Sequence, residues 1–167
     1  MSDWFVHALR VRYQETDRMG VVYHANVLNW FEIGRTEWIR SLGVSYRKLE
    51  EAGLYLPVVE AEVRFHRPAL YDDIVEVRTR PTDLTPTGIA FAYEIRRRNG
   101  ESDGQPNDSD DGLAAGPAEG ADAGELLASG RTRHAWLNAR WKPCRLDRQA
   151  PEVYAVLERV CPARRNG

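Results

Sequence analysis

The stretch Tyr13-Gln14-Glu15-Thr16-Asp17-Arg18-Met19-Gly20-Val21-Val22-Tyr23-His24-Ala25-Asn26-Val27-Leu28-Asn29-Trp30-Phe31-Glu32 governs how the rest of the chain is read. Asp17 sits in a turn, and three residues later comes Gly20, where the backbone can take an angle that other residues reach only with strain. A short apolar step, Val21-Val22-Tyr23, leads to His24, and a helical pattern opens near Asn26. That order sets a carboxylate beside a helix N-terminus, whose first backbone N–H groups lack intrahelical partners. An acid in that position can attack, or activate water against, a carbonyl whose oxygen those N–H groups hold.

Working outward, Val27, Phe31, Gly34, Trp38 and Leu42 recur at helical spacing between about 25 and 42, and Trp30 and Ile39 widen the stripe. Gly34 within it either lets another element pack close or weakens the helix by about 1 kcal/mol without return. Gly43 is a plausible stop. A short second helix is expected over 45–52. Before the turn, residues 4–13 read as a strand with Leu9, Val11 and Tyr13 on one face. After the helices the period changes to two. Val59, Ala61, Val63 and Phe65 alternate with polar residues, as do Val75, Val77 and Thr79, then Ile89, Phe91, Tyr93 and Ile95, and a last long strand covers 126–138. One long amphipathic helix followed by half-buried strands predicts an α+β layer, an antiparallel sheet curled around one central helix. A short terminal helix opens at Pro151.

The alternation stops at Arg98 and resumes at Leu126. Residues 101–125 contain eight acids, no Lys or Arg, and Leu113 as the only large apolar residue. Such a segment cannot offset its ordering entropy, so 99–125 is expected to be a disordered acidic insertion in a hairpin of a single domain spanning 1–167. The insertion also distorts the overall charge. The chain carries −2, yet outside 101–125 its 23 Lys and Arg face 17 Asp and Glu. A mildly basic body suits a phosphate-bearing ligand. The basic residues lie singly along strands rather than in a patch, and no nucleic-acid motif is present. No run of 18 apolar residues predicts a membrane span, and Met1-Ser2-Asp3-Trp4 does not open a signal peptide. Cys144 and Cys161 lack metal-ligand spacing and point to a reduced, cytoplasmic protein. Glycine-rich phosphate loops and H-x-x-x-H pairs are absent from the sequence.

The register Tyr13, Thr16, Asp17, Gly20, Val22, Tyr23, His24, Asn26, Trp30, Phe31 and Glu32 resembles the signature of the hotdog-fold acyl-CoA thioesterases, in the group containing the Tol-Pal-linked thioesterase and 4-hydroxybenzoyl-CoA thioesterase. A looser likeness runs from residue 4 to about 146. The resemblance implies the hotdog architecture and hydrolysis of an acyl-CoA thioester without metal or cofactor. It also implies a homodimer or dimer of dimers with the site at the protomer interface. In this reading Asp17 is the catalytic carboxylate, as general base or nucleophile, and His24 contributes its backbone N–H to the thioester oxygen.

Each residue also has a plainer reading. Asp17 can cap its turn. His24 can pair its imidazole with an acid. Tyr23 is a packing aromatic or a substrate contact, and Asn26 is a helix N-cap or a substrate contact. Glu32 touches the acyl group or pairs with Arg35 one turn on. His66 and His134 read as solvated or sheet-face residues. Some relatives hold CoA phosphates with clustered basic residues before the fourth strand, where this chain has Asp83-Leu84-Thr85-Pro86-Thr87-Gly88. The contacts then fall to Thr85–Gly88, or to Arg64, Arg67 or Arg133, and an acyl-carrier-protein thioester stays open as substrate. Two further functions remain open: hydrolysis of an aromatic hydroxybenzoyl- or naphthoyl-type CoA ester, and a non-catalytic protein that binds acyl-CoA or a partner.

Overall fold

The computed structural model describes residues 4–98, 116–117 and 124–161. Strand β1 is Phe5–Arg10, and a 3-10 turn follows at Tyr13–Glu15. Helix α1 is Asn26–Ser41 and α2 is Tyr46–Glu51. Strands β2 (Val58–Phe65), β3 (Ile74–Thr85), β4 (Gly88–Arg97), β5 (Gly116–Pro117) and β6 (Glu125–Ala135) come next. Helices α3 (Leu146–Gln149) and α4 (Pro151–Val160) end the described chain. The strands form one antiparallel sheet in the order β2-β6-β4-β3-β1-β5.

Helix α1 lies on the inner face of this sheet, and its buried stripe is Val27, Trp30, Phe31, Gly34, Trp38 and Ile39. Gly34 settles its own ambiguity, because a Cβ there would lie 2.4 Å from Thr79 Oγ1 and 2.7 Å from Val77 Cγ1. The helix backbone therefore rests directly on β3. The Phe31 ring stacks on Tyr93, with centroids 4.2 Å apart and planes 8° apart, and Trp38 meets Phe91 edge-on at 5.3 Å. Val75, Val77, Thr79, Ile89, Phe91, Tyr93 and Ile95 all face inward, as the alternation predicts. The opposite face carries charge in pairs, such as Glu76–Arg78 and Glu94–Arg96.

Several expectations need correction. The β3–β4 hairpin runs further than predicted, and Thr85 pairs with Gly88 across a two-residue turn. Pro81 lacks a donor for the ladder, and the register slips between Pro81 and Asp83, so alternation there is broken although the strand continues. Tyr13 does not share the inner face with Leu9 and Val11. The 3-10 turn rotates it outward, where its ring meets Tyr71 edge-on. Among the described residues most of the alternating face of β2 is not covered: Val59 is 54% and Phe65 57% exposed, only Val63 packs on the core, and β2 is the end strand of the sheet. The strand expected over 126–138 ends at Ala135. The disorder expected over 99–125 falls mainly outside the described residues. Within it, Gly116–Pro117 pairs with Phe5 and Val6 at the β1 edge.

Candidate active site

The turn before α1 is a small hairpin. Thr16 bridges Val22, the Asp17 N–H donates to the Val21 carbonyl at 2.9 Å, and the Gly20 N–H donates to the Asp17 carbonyl at 3.0 Å. Gly20 supplies the positive φ, +77°, that closes it. The Asp17 carboxylate is half-buried, and its Oδ1 accepts the Met19 N–H at 2.8 Å. The turn-capping reading of Asp17 holds. One oxygen caps the turn and fixes the side chain, and Oδ2 has no partner among the described residues.

The hairpin leads into α1 through tight i to i+3 bonds. The N–H groups of Asn26, Val27 and Leu28 donate to the carbonyls of Tyr23, His24 and Ala25 at 2.9, 3.3 and 3.2 Å. This closes the helix start one turn early. Among the described residues, the backbone N–H groups of His24 and Ala25 meet no acceptor. Both residues are exposed. The result is a pair of adjacent donors without acceptors among the described residues, at the positive end of a 16-residue helix that follows the Asp17 hairpin.

The other predicted residues separate. Tyr23 is exposed, and its ring lies 4.3 Å from the His24 imidazole. Asn26 is not the N-cap. That position is Ala25, in helical conformation, with no side-chain cap. Asn26 instead donates through Nδ2 to the Glu15 carbonyl at 2.9 Å and accepts from Asn29 at 3.0 Å. Glu32 is exposed on α1 and makes no ion pair with Arg35, whose charge acts on His134, Tyr93 and Tyr46.

Two features escaped the sequence reading. The first is Glu15, a buried acid whose Oε1 accepts the Trp30 indole N–H at 3.1 Å and whose Oε2 accepts the Arg12 backbone N–H at 2.7 Å. Trp30 gave a signal that was available, since a buried indole N–H needs an acceptor. The second is a buried polar row under α1. Thr132 Oγ1 lies 2.7 Å from the Tyr93 hydroxyl and 2.8 Å from His134 Nε2, while His134 Nδ1 faces the Leu56 carbonyl at 3.4 Å. Burial first, then the Arg35 charge, depresses the His134 pKa to about 4, so the ring is neutral at pH 7. His66 is exposed and bonds to Ser129 at 2.9 Å.

Among the described residues, no three His, Cys, Asp or Glu side chains converge on a point that would hold a metal. Thr85, Thr87, Gly88 and Arg133 line one cleft of about 480 Å³, and Arg133 also bonds to Glu60 at 2.9 Å. Arg64 and Arg67 lie elsewhere, in ion pairs with Glu62 and Glu125. No described helix is long and apolar enough to cross a membrane.

The chain matches the family model of the thioesterase-like superfamily over residues 11–158. It is 40% identical to YneP of Bacillus subtilis over 93 residues, covering 56% of this chain and 67% of that one. It is 34% identical to the acyl-CoA thioesterase YbgC of Haemophilus influenzae over 98 residues, covering 58% and 72%. Among solved structures it resembles a DHNA-CoA thioesterase from Staphylococcus aureus, with a TM-score of 0.78 and 28% identity over 94% of this chain and 90% of that one.

Proposed function

This chain belongs to the thioesterase-like superfamily, and from that premise we propose that it hydrolyses acyl-CoA thioesters to a carboxylic acid and CoA, with Asp17 as general base or nucleophile. The observation that carries the assignment is that, among the described residues, a carboxylate oxygen on Asp17 and two N–H groups, at His24 and Ala25, lack partners in adjoining segments. A thioester carbonyl oxygen accepting those N–H groups becomes more electrophilic at carbon. On the general-base route Asp17 takes a proton from water as the water oxygen bonds to that carbon. The carbonyl π pair moves onto oxygen, which the N–H groups and the helix dipole stabilise. When the oxyanion collapses, the C–S bond breaks and the thiolate leaves with the proton that Asp17 held. On the nucleophilic route Asp17 itself bonds to the carbon, the thiolate leaves, and water opens the mixed anhydride.

The proposal includes a homo-oligomer and a cytoplasmic location. Among the described residues, strand β2 leaves a whole sheet edge unpaired, with apolar side chains exposed on the strand, a hazard that a second copy covers. The two cysteines are free thiols. A non-catalytic binding role is the weaker reading, because binding alone gives no use to an unpartnered carboxylate oxygen beside unpartnered donors. Aromatic acyl groups are a second substrate reading, supported by the likeness to the DHNA-CoA thioesterase and by the exposed Tyr23 ring beside the donors.

The test is thiol release from a panel of straight-chain and aromatic acyl-CoA esters and an acyl-carrier-protein thioester. Turnover on at least one is expected, and the best substrate separates the readings. No release from any member, by protein shown to be folded, would contradict hydrolysis.

A further inference from the structure

We propose that Glu15 is the positioning residue of this site: its buried carboxylate and its main-chain carbonyl together fix the His24 and Ala25 donors relative to Asp17. The inference rests on the thioester-hydrolase reading above. Glu15 is the only buried carboxylate among the described residues, 7% exposed in a chain whose other buried polar residues are Thr79, Thr132 and His134. Burying a charge is unfavourable unless hydrogen bonds replace its water. Here Oε2 takes the Arg12 backbone N–H at 2.7 Å, Oε1 takes the Trp30 indole at 3.1 Å, and the Arg12 guanidinium lies 3.6 Å from Oε1. The carboxylate therefore links the end of β1 to the second turn of α1.

The main chain of the same residue ties down the other side. The Glu15 carbonyl accepts the Tyr23 N–H at 2.8 Å and the Asn26 Nδ2 at 2.9 Å. Tyr23 immediately precedes His24, and Asn26 immediately follows Ala25, so both free donors are held between two anchors on one carbonyl. Asp17 is two residues beyond Glu15 in the same hairpin, where Thr16–Val22 and Asp17–Val21 continue the pairing begun at Glu15–Tyr23. Moving Glu15 shifts the acid and the donors relative to each other. Misplacement of about 1 Å in a catalytic array lowers rates by about 100-fold.

The chemistry makes a specific substitution informative. Glu15→Gln keeps size and shape, but an amide offers one acceptor where two donors converge, so its NH₂ faces either Arg12 N–H or the Trp30 indole. Trp30→Phe removes one of those donors. The experiment measures kcat and KM on the best acyl-CoA for wild type, E15Q, W30F and E15Q/W30F, at a temperature where circular dichroism shows each is folded. Backbone amide NMR shifts of His24 and Ala25 are read alongside. Positioning predicts that kcat of E15Q falls about 10- to 100-fold with KM within about threefold. It also predicts displaced His24 and Ala25 amide shifts, and partial recovery of both in E15Q/W30F. A purely structural role predicts lower melting temperature with unchanged kcat and unchanged amide shifts, and would overturn the inference. If E15Q does not fold, W30F decides alone: displaced amides with reduced kcat support positioning, and wild-type values overturn it. Displaced amides in E15Q beside a wild type that releases no thiol would remove the hydrolase reading and leave the positioning geometry standing.

Discussion

At the residue scale, the site separates side chains that announce themselves from those that do not. The placement of Asp17, Gly20 and His24 was legible because an acid, a turn glycine and a helix start in that order leave few arrangements. Glu15 was not legible, because acids two apart in an extended run would share a face, and only the 3-10 turn at Tyr13–Glu15 rotates it inward. Asn26 misled for a similar reason: its residue type favours the N-cap, yet a carbonyl from the hairpin claims its amide and the N-cap falls to Ala25. His134 was hidden by alternation, which assigns a face without saying how deep that face lies. Its behaviour carries a prediction. Above pH 6.5 the imidazole is neutral in both the folded and the unfolded chain. Between pH 6.5 and about 4 the unfolded chain binds a proton that the native state refuses. Stability from this group is therefore full above the unfolded value and lost as pH falls through that window, by on the order of 3 kcal/mol. His134→Gln, which does not titrate, is expected to show a flatter melting-temperature profile between pH 7 and 4.5 than wild type. Parallel profiles would refute the assignment.

At the scale of elements, pattern was a good guide wherever one face packs on α1 and a poor one elsewhere. The helices at 26–41, 46–51 and 151–160 fall close to where periodicity and turn residues place them. Strands β3 and β4 fooled the eye only at their shared turn, where a proline and a slipped register interrupt alternation without ending pairing. Gly34 gives an element-level test. Alanine is the better helix former by about 1 kcal/mol, but its Cβ would press into Thr79 and Val77 on β3. Overpacking costs about 1–3 kcal/mol, so Gly34→Ala is expected to lower stability in denaturant melts. A gain would mean the helix can lift off β3 freely. The uncovered β2 edge makes the complementary forecast. Light scattering at micromolar concentration should find a homo-oligomer, and Val59→Lys with Phe65→Lys should shift it toward monomer. A stable, active wild-type monomer would contradict that assembly.

At the scale of the whole molecule, 99–125 is proposed as an acidic insertion in one hotdog domain, and composition alone argues for it. The described pairing of Gly116–Pro117 with Phe5 and Val6 adds a small attachment to the β1 edge. Replacing 101–124 by a short Gly-Ser turn is therefore expected to keep activity, with KM for CoA esters unchanged at every salt concentration. An electrostatic role for the acids would instead lower KM on deletion at low ionic strength, with the difference fading toward about 0.5 M salt. Both tests, like the claim of hydrolysis itself, are read by thiol release. Burial raises the thiol pKa of Cys144, and that of Cys161 to about 12, so the native protein should add little background to a thiol-reactive dye. The most direct measurement is steady-state thiol release by wild type and Asp17→Asn on the best acyl-CoA. The account predicts turnover by wild type and a fall in kcat of at least about 100-fold in the variant, with circular dichroism and assembly unchanged. Near wild-type turnover by Asp17→Asn would contradict it.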